Sequence, residues 1–231
     1  MKKKSFIILG ILAVLVIGVL VYLNTYYKAL NVEDYLKSND IIDVKKIKNG
    51  YFFDGPGEDK AFIFYPGAKV EYTSYAALMS KLAEEGIDAS LVEMPFNIAF
   101  LGSDRADKIM NGFEYGEWYM GGHSLGGVVV ANYVSENDNI KGLILLASYA
   151  TREIDVKTLS LYGNEDGVLN MKNYDKNKDN LKDLTEIVID GGNHAGFGNY
   201  GKQKGDRESK ISSEEQQSIT AKEIVKFINN N

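Results

Sequence analysis

The chain has no cysteine, two histidines, three prolines and one tryptophan in 231 residues. Without cysteine there is no disulfide, no thiolate metal site and no cysteine nucleophile. Two histidines, His123 and His194, cannot build a histidine-rich metal cage. No EF-hand-like spacing of acids appears, and neither a metal nor a cofactor is expected. Positive charge is outnumbered, with 26 Lys and Arg against 32 Asp and Glu. The net charge is −6 with no basic patch, which argues against a nucleic-acid partner. What the chain has is apolar: 45% of it is hydrophobic and 25% charged. That supports one domain with a substantial core and is too little for two.

One long apolar run stands near the N-terminus. Residues 5–23 carry no charge, and their number approaches the ~20 that a helix needs to cross a bilayer core. Lys2, Lys3 and Lys4 precede the run, and Tyr22, Tyr26 and Tyr27 close it. Rings of that kind suit the headgroup level, and the lysines favour a cytoplasmic N-terminus with the rest outside. A cleaved signal would have a shorter apolar core and a small-x-small site, and "VYLNTYYKAL" offers no such site. The expectation is an uncleaved, single-pass cell-membrane anchor over 1–27, a stalk or peripheral segment over 28–49, and a folded domain over 50–231.

From about Gly50 the pattern alternates. "YFFD", "AFIFYPG", "ASLVEMP", "EWYMGG", "IKGLILLAS", "KTLSLYG" and "LTEIVIDGG" are short apolar runs ending in turns. The central ones are apolar throughout, as strands buried on both faces should be. Helix-like stretches lie between them at 74–85, 105–113, 125–135 and 213–229. The last opens with Ser212 or Ser213 as a cap and acids in its first turn. Strand–helix alternation predicts an α/β fold, a mostly parallel central sheet flanked by helices. "NMKNYDKNKDNLKD" and "GKQKGDRESK" read as solvated surface.

"EWYMGGHSLGGVVVANYV" is a strand, a glycine corner and a helix. Its Gly122-His123-Ser124-Leu125-Gly126 matches G-x-S-x-G in the strand–turn–helix setting of a nucleophile elbow. Serine there is either the nucleophile or only a helix cap. A nucleophilic serine needs a base. His123 is its neighbour and should turn into packing, which leaves His194, past the last strand. "SLYGNEDGVL" offers Glu165 and Asp166 after another strand, and Asp166 is the expected orienting acid. The order Ser124, Asp166, His194, each just past a strand, is that of α/β-hydrolases and not of the two serine-protease folds. The oxyanion donors should be the Leu125 N–H and the Ala68 N–H after "AFIFYPG", with Lys69 as the alternative to Ala68. "PFNIAFLGSD" and "SYATREID" should line the pocket mouth.

On "FYPGAKVEYTSYAAL", "VEMPFNIAF", "GGHSLGG", "LYGNEDGV" and "GGNHAGFGNYG", the chain from about Gly50 to Asn230 resembles the α/β-hydrolase superfamily. Within it, it is similar to the small, lidless bacterial branch related to dienelactone hydrolases and carboxylesterases. "PGA" stands where many relatives carry His-Gly-x. The short spacing between "LILLAS" and "KTLSLYG" leaves no room for a cap domain. Dienelactone hydrolases use a cysteine nucleophile, which this chain lacks. The resemblance implies hydrolysis of small-molecule or lipid-like carboxylic esters through an acyl-enzyme, and the N-terminal run would anchor that hydrolase outside the cell. Thioester hydrolysis and acyl transfer share that intermediate. The reading from a different class is an anchored, non-catalytic binding module with the same fold.

Overall fold

The computed structural model describes residues 2–57 and 59–231. It opens with α1 (Lys2–Asn24), followed by β1 (Asp43–Ile47), β2 (Gly50–Asp54), β3 (Lys60–Tyr65), α2 (Ala76–Glu84), β4 (Asp88–Val92) and α3 (Arg105–Met110). Then come β5 (Glu117–His123), α4 (Leu125–Val134), β6 (Ile140–Leu146), β7 (Lys157–Gly163), α5 (Met171–Asn177), β8 (Leu184–Ile189) and α6 (Ser213–Asn229). The eight strands form one sheet in the order β1-β2-β4-β3-β5-β6-β7-β8. Only β2 runs against the others.

The central strands are buried because helices cover both faces. Leu78, Met79 and Leu82 of α2 and Ile224 and Ile228 of α6 pack with Phe62 and Phe64 of β3 on one face. Ala106 and Ile109 of α3 and Val129 and Val130 of α4 pack with Ile63 and Met120 on the other. Each fully buried Phe of β3 contributes about 1.5–3 kcal/mol by leaving water. Ser212 caps α6 by accepting the Glu215 N–H at 3.1 Å.

Two segments differ from the sequence expectation. Residues 28–49, expected as a stalk or peripheral stretch, supply β1 to the sheet and bury Val32 and Ile42 in the core. The β1 sequence "DVKKI" hides this, since lysines on an edge strand discourage pairing with other chains. "NMKNYDKNKDNLKD" forms α5, and its Tyr174 is buried with its hydroxyl on Ser160 and Glu186.

The chain runs from β3 to β4 on one side and returns to β5 on the other, so strand order reverses between β3 and β5. The loops beyond the ends of strands at such a point open a crevice. Those two loops carry Ala68 and Ser124.

Among the described residues, one helix is long and apolar enough to cross a membrane, over 19 residues, Phe6–Asn24. None of that stretch is buried against the rest of the chain.

Candidate active site

Between β5 and α4 lies a single residue, Ser124, with φ 53° and ψ −124°. A non-glycine residue enters such a region at a cost of about 1–3 kcal/mol and stays only where its surroundings hold it. Its N–H donates to the Leu146 carbonyl at 2.9 Å, and its own carbonyl accepts from Ser148 Oγ at 2.7 Å and the Gly127 N–H at 3.1 Å. Glycine is required beside it. A Cβ on Gly126 would lie 2.3 Å from the Pro66 carbonyl oxygen, and one on Gly122 would lie 2.6 Å from the Gly126 carbonyl carbon. The Ser124 side chain makes no capping bond to α4. Ser124 instead lines a cavity of about 190 Å³ with Leu125, Ala147, Ser148, Leu169 and His194 among its neighbours.

The loop after β7 carries Asp166, which is buried. Its Oδ1 accepts the Val168 and Leu169 N–H groups, each at 2.8 Å. Those two bonds fix the carboxylate so that Oδ2 accepts His194 Nδ1–H at 2.8 Å. That bond leaves the lone pair of a neutral His194 on Nε2. Nε2 is buried and has no hydrogen-bond partner among the described residues. No hydrogen bond joins the Ser124 hydroxyl to Nε2, yet both residues border the same cavity. Glu165 turns the other way, to Lys210 and toward Arg207 at 3.9 Å.

His123 is buried, with its ring centroid 4.4 Å from that of His194. Its Nδ1 lies 2.8 Å from the Tyr75 hydroxyl, which accepts the Gly67 N–H at 3.2 Å. Burial keeps the Tyr75 phenol protonated, and His123 Nδ1 is the acceptor within reach of its proton. Burial, followed by the neighbouring His194, holds His123 well below the ordinary histidine pKa. A neutral ring therefore packs beside the candidate base and links, through Tyr75, to the loop after β3.

In that loop the Lys69 N–H donates to the Asn97 carbonyl at 2.7 Å. The Ala68 N–H has no acceptor among the described residues, nor has the Leu125 N–H at the start of α4. Leu125 lines the cavity at Ser124, and Ala68 lies in the loop that follows the neighbouring strand β3. Among the described residues, no group of three or more His, Asp or Glu is gathered so as to hold a metal ion.

Two residues here escape the sequence reading. "GKQKGDRESK", expected as solvated surface, supplies Asp206 and Arg207. The Asp206 carboxylate accepts N–H groups from Gly167 at 3.0 Å, His194 at 3.3 Å and Ala195 at 2.9 Å. Arg207 donates to the carbonyls of Asn164 at 3.1 Å, Glu165 at 3.2 Å and Asp166 at 2.5 Å. Together they tie the acid loop to the base loop. A charged pair in a polar loop looks like any solvated pair, and only the fold shows which N–H groups it meets. The pocket-mouth expectation splits. Ser148 and Tyr149 of "SYATREID" line the cavity. Phe100, Ser103 and Asp104 of "PFNIAFLGSD" instead line a separate groove of about 380 Å³, with Tyr133 and Arg152.

The model of the alpha/beta hydrolase family matches residues 61–218. Solved structures share the fold at low identity. A predicted CIB-like hydrolase from Thermoplasma acidophilum is 15% identical with a TM-score of 0.55, over 80% of this chain and 97% of that one. Est1E from Butyrivibrio proteoclasticus is 15% identical with a TM-score of 0.54, over 83% and 98%. TT1662 from Thermus thermophilus is 12% identical with a TM-score of 0.60, over 82% and 97%. No curated protein matches this chain by sequence.

Proposed function

This chain belongs to the alpha/beta hydrolase family, and from that premise we propose that it is a serine hydrolase of carboxylic esters, anchored in the cell membrane with its catalytic domain outside. Ser124 Oγ attacks the ester carbonyl carbon while His194 Nε2 takes its proton. The ester C–O bond breaks, and the alcohol leaves with that proton. Water then gives a proton to Nε2 and attacks the acyl-serine. The acid departs, and the proton returns to Ser124. Asp166 holds the imidazole in the required tautomer and steadies its charged form. The Ala68 and Leu125 N–H groups hold the oxyanion in both steps. Lys69 does not serve, since its N–H is already bonded to Asn97.

One observation carries this reading. A strained serine borders the same cavity as a histidine whose Nδ1 is fixed by a buried carboxylate at 2.8 Å. A binding module of the same fold has no use for that strain. The name of Est1E, a similar structure, accords with ester chemistry. The anchor reading is supported by the uncovered apolar length of α1 and by the lysines that precede it. We divide the chain into an anchor over 1–27, a connecting segment over 28–49 fastened to the domain it leads into, and a catalytic domain over 50–231.

The test is Ser124→Ala. Turnover of a short-chain ester should fall by about 10⁴-fold or more, with the urea midpoint no lower than in the parent. Unchanged turnover in the purified variant would overturn the proposal.

A further inference from the structure

The end of α1 is fastened to the loop that carries the candidate oxyanion donor. Lys69 Nζ donates to the Leu23 carbonyl at 3.1 Å and also to that of Tyr22. It thereby satisfies carbonyls that a helix end leaves open. The Lys69 carbonyl accepts the Tyr27 N–H at 2.7 Å, and the Glu71 N–H donates back to Tyr27 at 2.9 Å. The Ala29 N–H reaches the Glu71 carboxylate at 2.9 Å, and the Leu30 N–H reaches the Asn199 carbonyl at 2.8 Å, past the base loop. The Tyr27 hydroxyl accepts the Lys204 N–H at 3.0 Å. The exit segment is thus a strap across the catalytic edge, joined at one end to the Ala68 loop and at the other to the His194 side. A flexible tether would let the domain turn freely. This strap fixes which edge faces the point where α1 leaves the bilayer.

Two exposed apolar side chains accompany the strap. Phe96 is 50% exposed and sits at φ 53°, beside the Asn97 carbonyl that holds the Lys69 N–H. Leu30 is 49% exposed. Each leaves about half of its surface open; Leu30 lies in the strap itself, and the Asn97 carbonyl next to Phe96 holds Lys69, whose Nζ holds the end of α1. The cavity at Ser124 is small. Its volume of about 190 Å³ falls below the roughly 300–1,000 Å³ of sites that enclose a whole ligand. It takes the scissile group and a short flank, and the rest of the substrate stays outside.

Resting on the anchored serine-hydrolase reading, we infer that the strap holds the catalytic edge against the bilayer, with Phe96 and Leu30 in its interface, and that the substrate is an ester resident in that bilayer. The acyl chains remain in lipid while the ester group rises into the cavity.

The test uses the full chain in phosphatidylcholine vesicles. In Phe96→Trp, lipids brominated high on the acyl chain should quench the new indole relative to unbrominated lipid, with the parent, whose Trp118 is buried, as the baseline. A second variant carries about ten Gly/Ser residues between Asn24 and Thr25, which lengthens the tether and spares the site. It should cleave a soluble short-chain ester within about twofold of the parent. It should cleave a long-chain ester dissolved in its own vesicles at least tenfold more slowly. Absence of quenching, or an unchanged rate on the vesicle-borne ester, would overturn the inference. A parent inert toward both esters would overturn the serine-hydrolase reading and the substrate assignment, while quenching still decides whether the edge meets the membrane.

Discussion

Asp206 makes no bond to Ser124, yet three N–H groups on two loops converge on its carboxylate. The pair Asp166–His194 depends on those loops keeping their spacing. Removing the acceptor leaves three N–H groups to find other partners. Asp206→Ala should lower kcat by about 10²-fold, the scale of a roughly 1 Å misplacement of a reacting group. KM should change much less. Asp206→Asn keeps one acceptor oxygen and should recover part of the rate, and a kcat equal to the parent's in Asp206→Ala would refute the role. His123 gives a prediction about pH. Its pKa is lowered in the folded chain by burial, so the unfolded chain takes up its proton first as pH falls. Below the ordinary value of about 6.5 the unfolded state binds more protons, and stability drops by up to ~1.4 kcal/mol per pH unit from this group. Above that value the contribution is complete and flat. In His123→Asn, urea midpoints should decline less between pH 6.5 and 5 than in the parent, and parallel curves would contradict this. Ser124, Asp166 and His194 stood out in the sequence because each follows an apolar strand, and the fold brings the three loops that carry them to one edge of the sheet. Asp206 and Tyr75 did not, because their partners lie far away in the chain.

At the scale of elements, the seven apolar runs became seven strands; in the central ones continuous apolarity marks burial on both faces, while β8, at the edge, leaves most of its side chains at least partly open. The eighth, β1, was hidden by its lysines, and α5 by its polar surface. The exit segment was illegible for a related reason. Its attachment is made by backbone groups of Tyr27, Ala29 and Leu30, and backbone bonding leaves no trace in residue type. Its contribution can be measured by truncation. A chain lacking residues 1–24 retains the four hydrogen bonds from 27–30 to Lys69, Glu71 and Asn199. A chain lacking 1–31 loses them all, a loss of about 2–6 kcal/mol at roughly 0.5–1.5 kcal/mol each. Urea unfolding should show the longer truncation less stable by that order, with slower turnover of a soluble ester. Coincident unfolding curves would mean that the strap is not part of the fold.

The whole molecule joins an apolar helix, a strap and a hydrolase fold whose candidate nucleophile lies at the strand-order reversal beside the strap. Fold and family were legible in the sequence, since alternation and a glycine corner survive without any geometry. The direction in which the crevice faces was not, because it depends on Lys69 meeting the end of α1. Everything rests on Ser124 being the nucleophile. The most direct measurement is the mass of the full chain after reaction with a fluorophosphonate, followed by peptide mapping. One adduct should form, on the peptide that contains Ser124, and should be absent from Ser124→Ala. An adduct on another residue, or ester turnover by an unlabelled chain, would contradict the account.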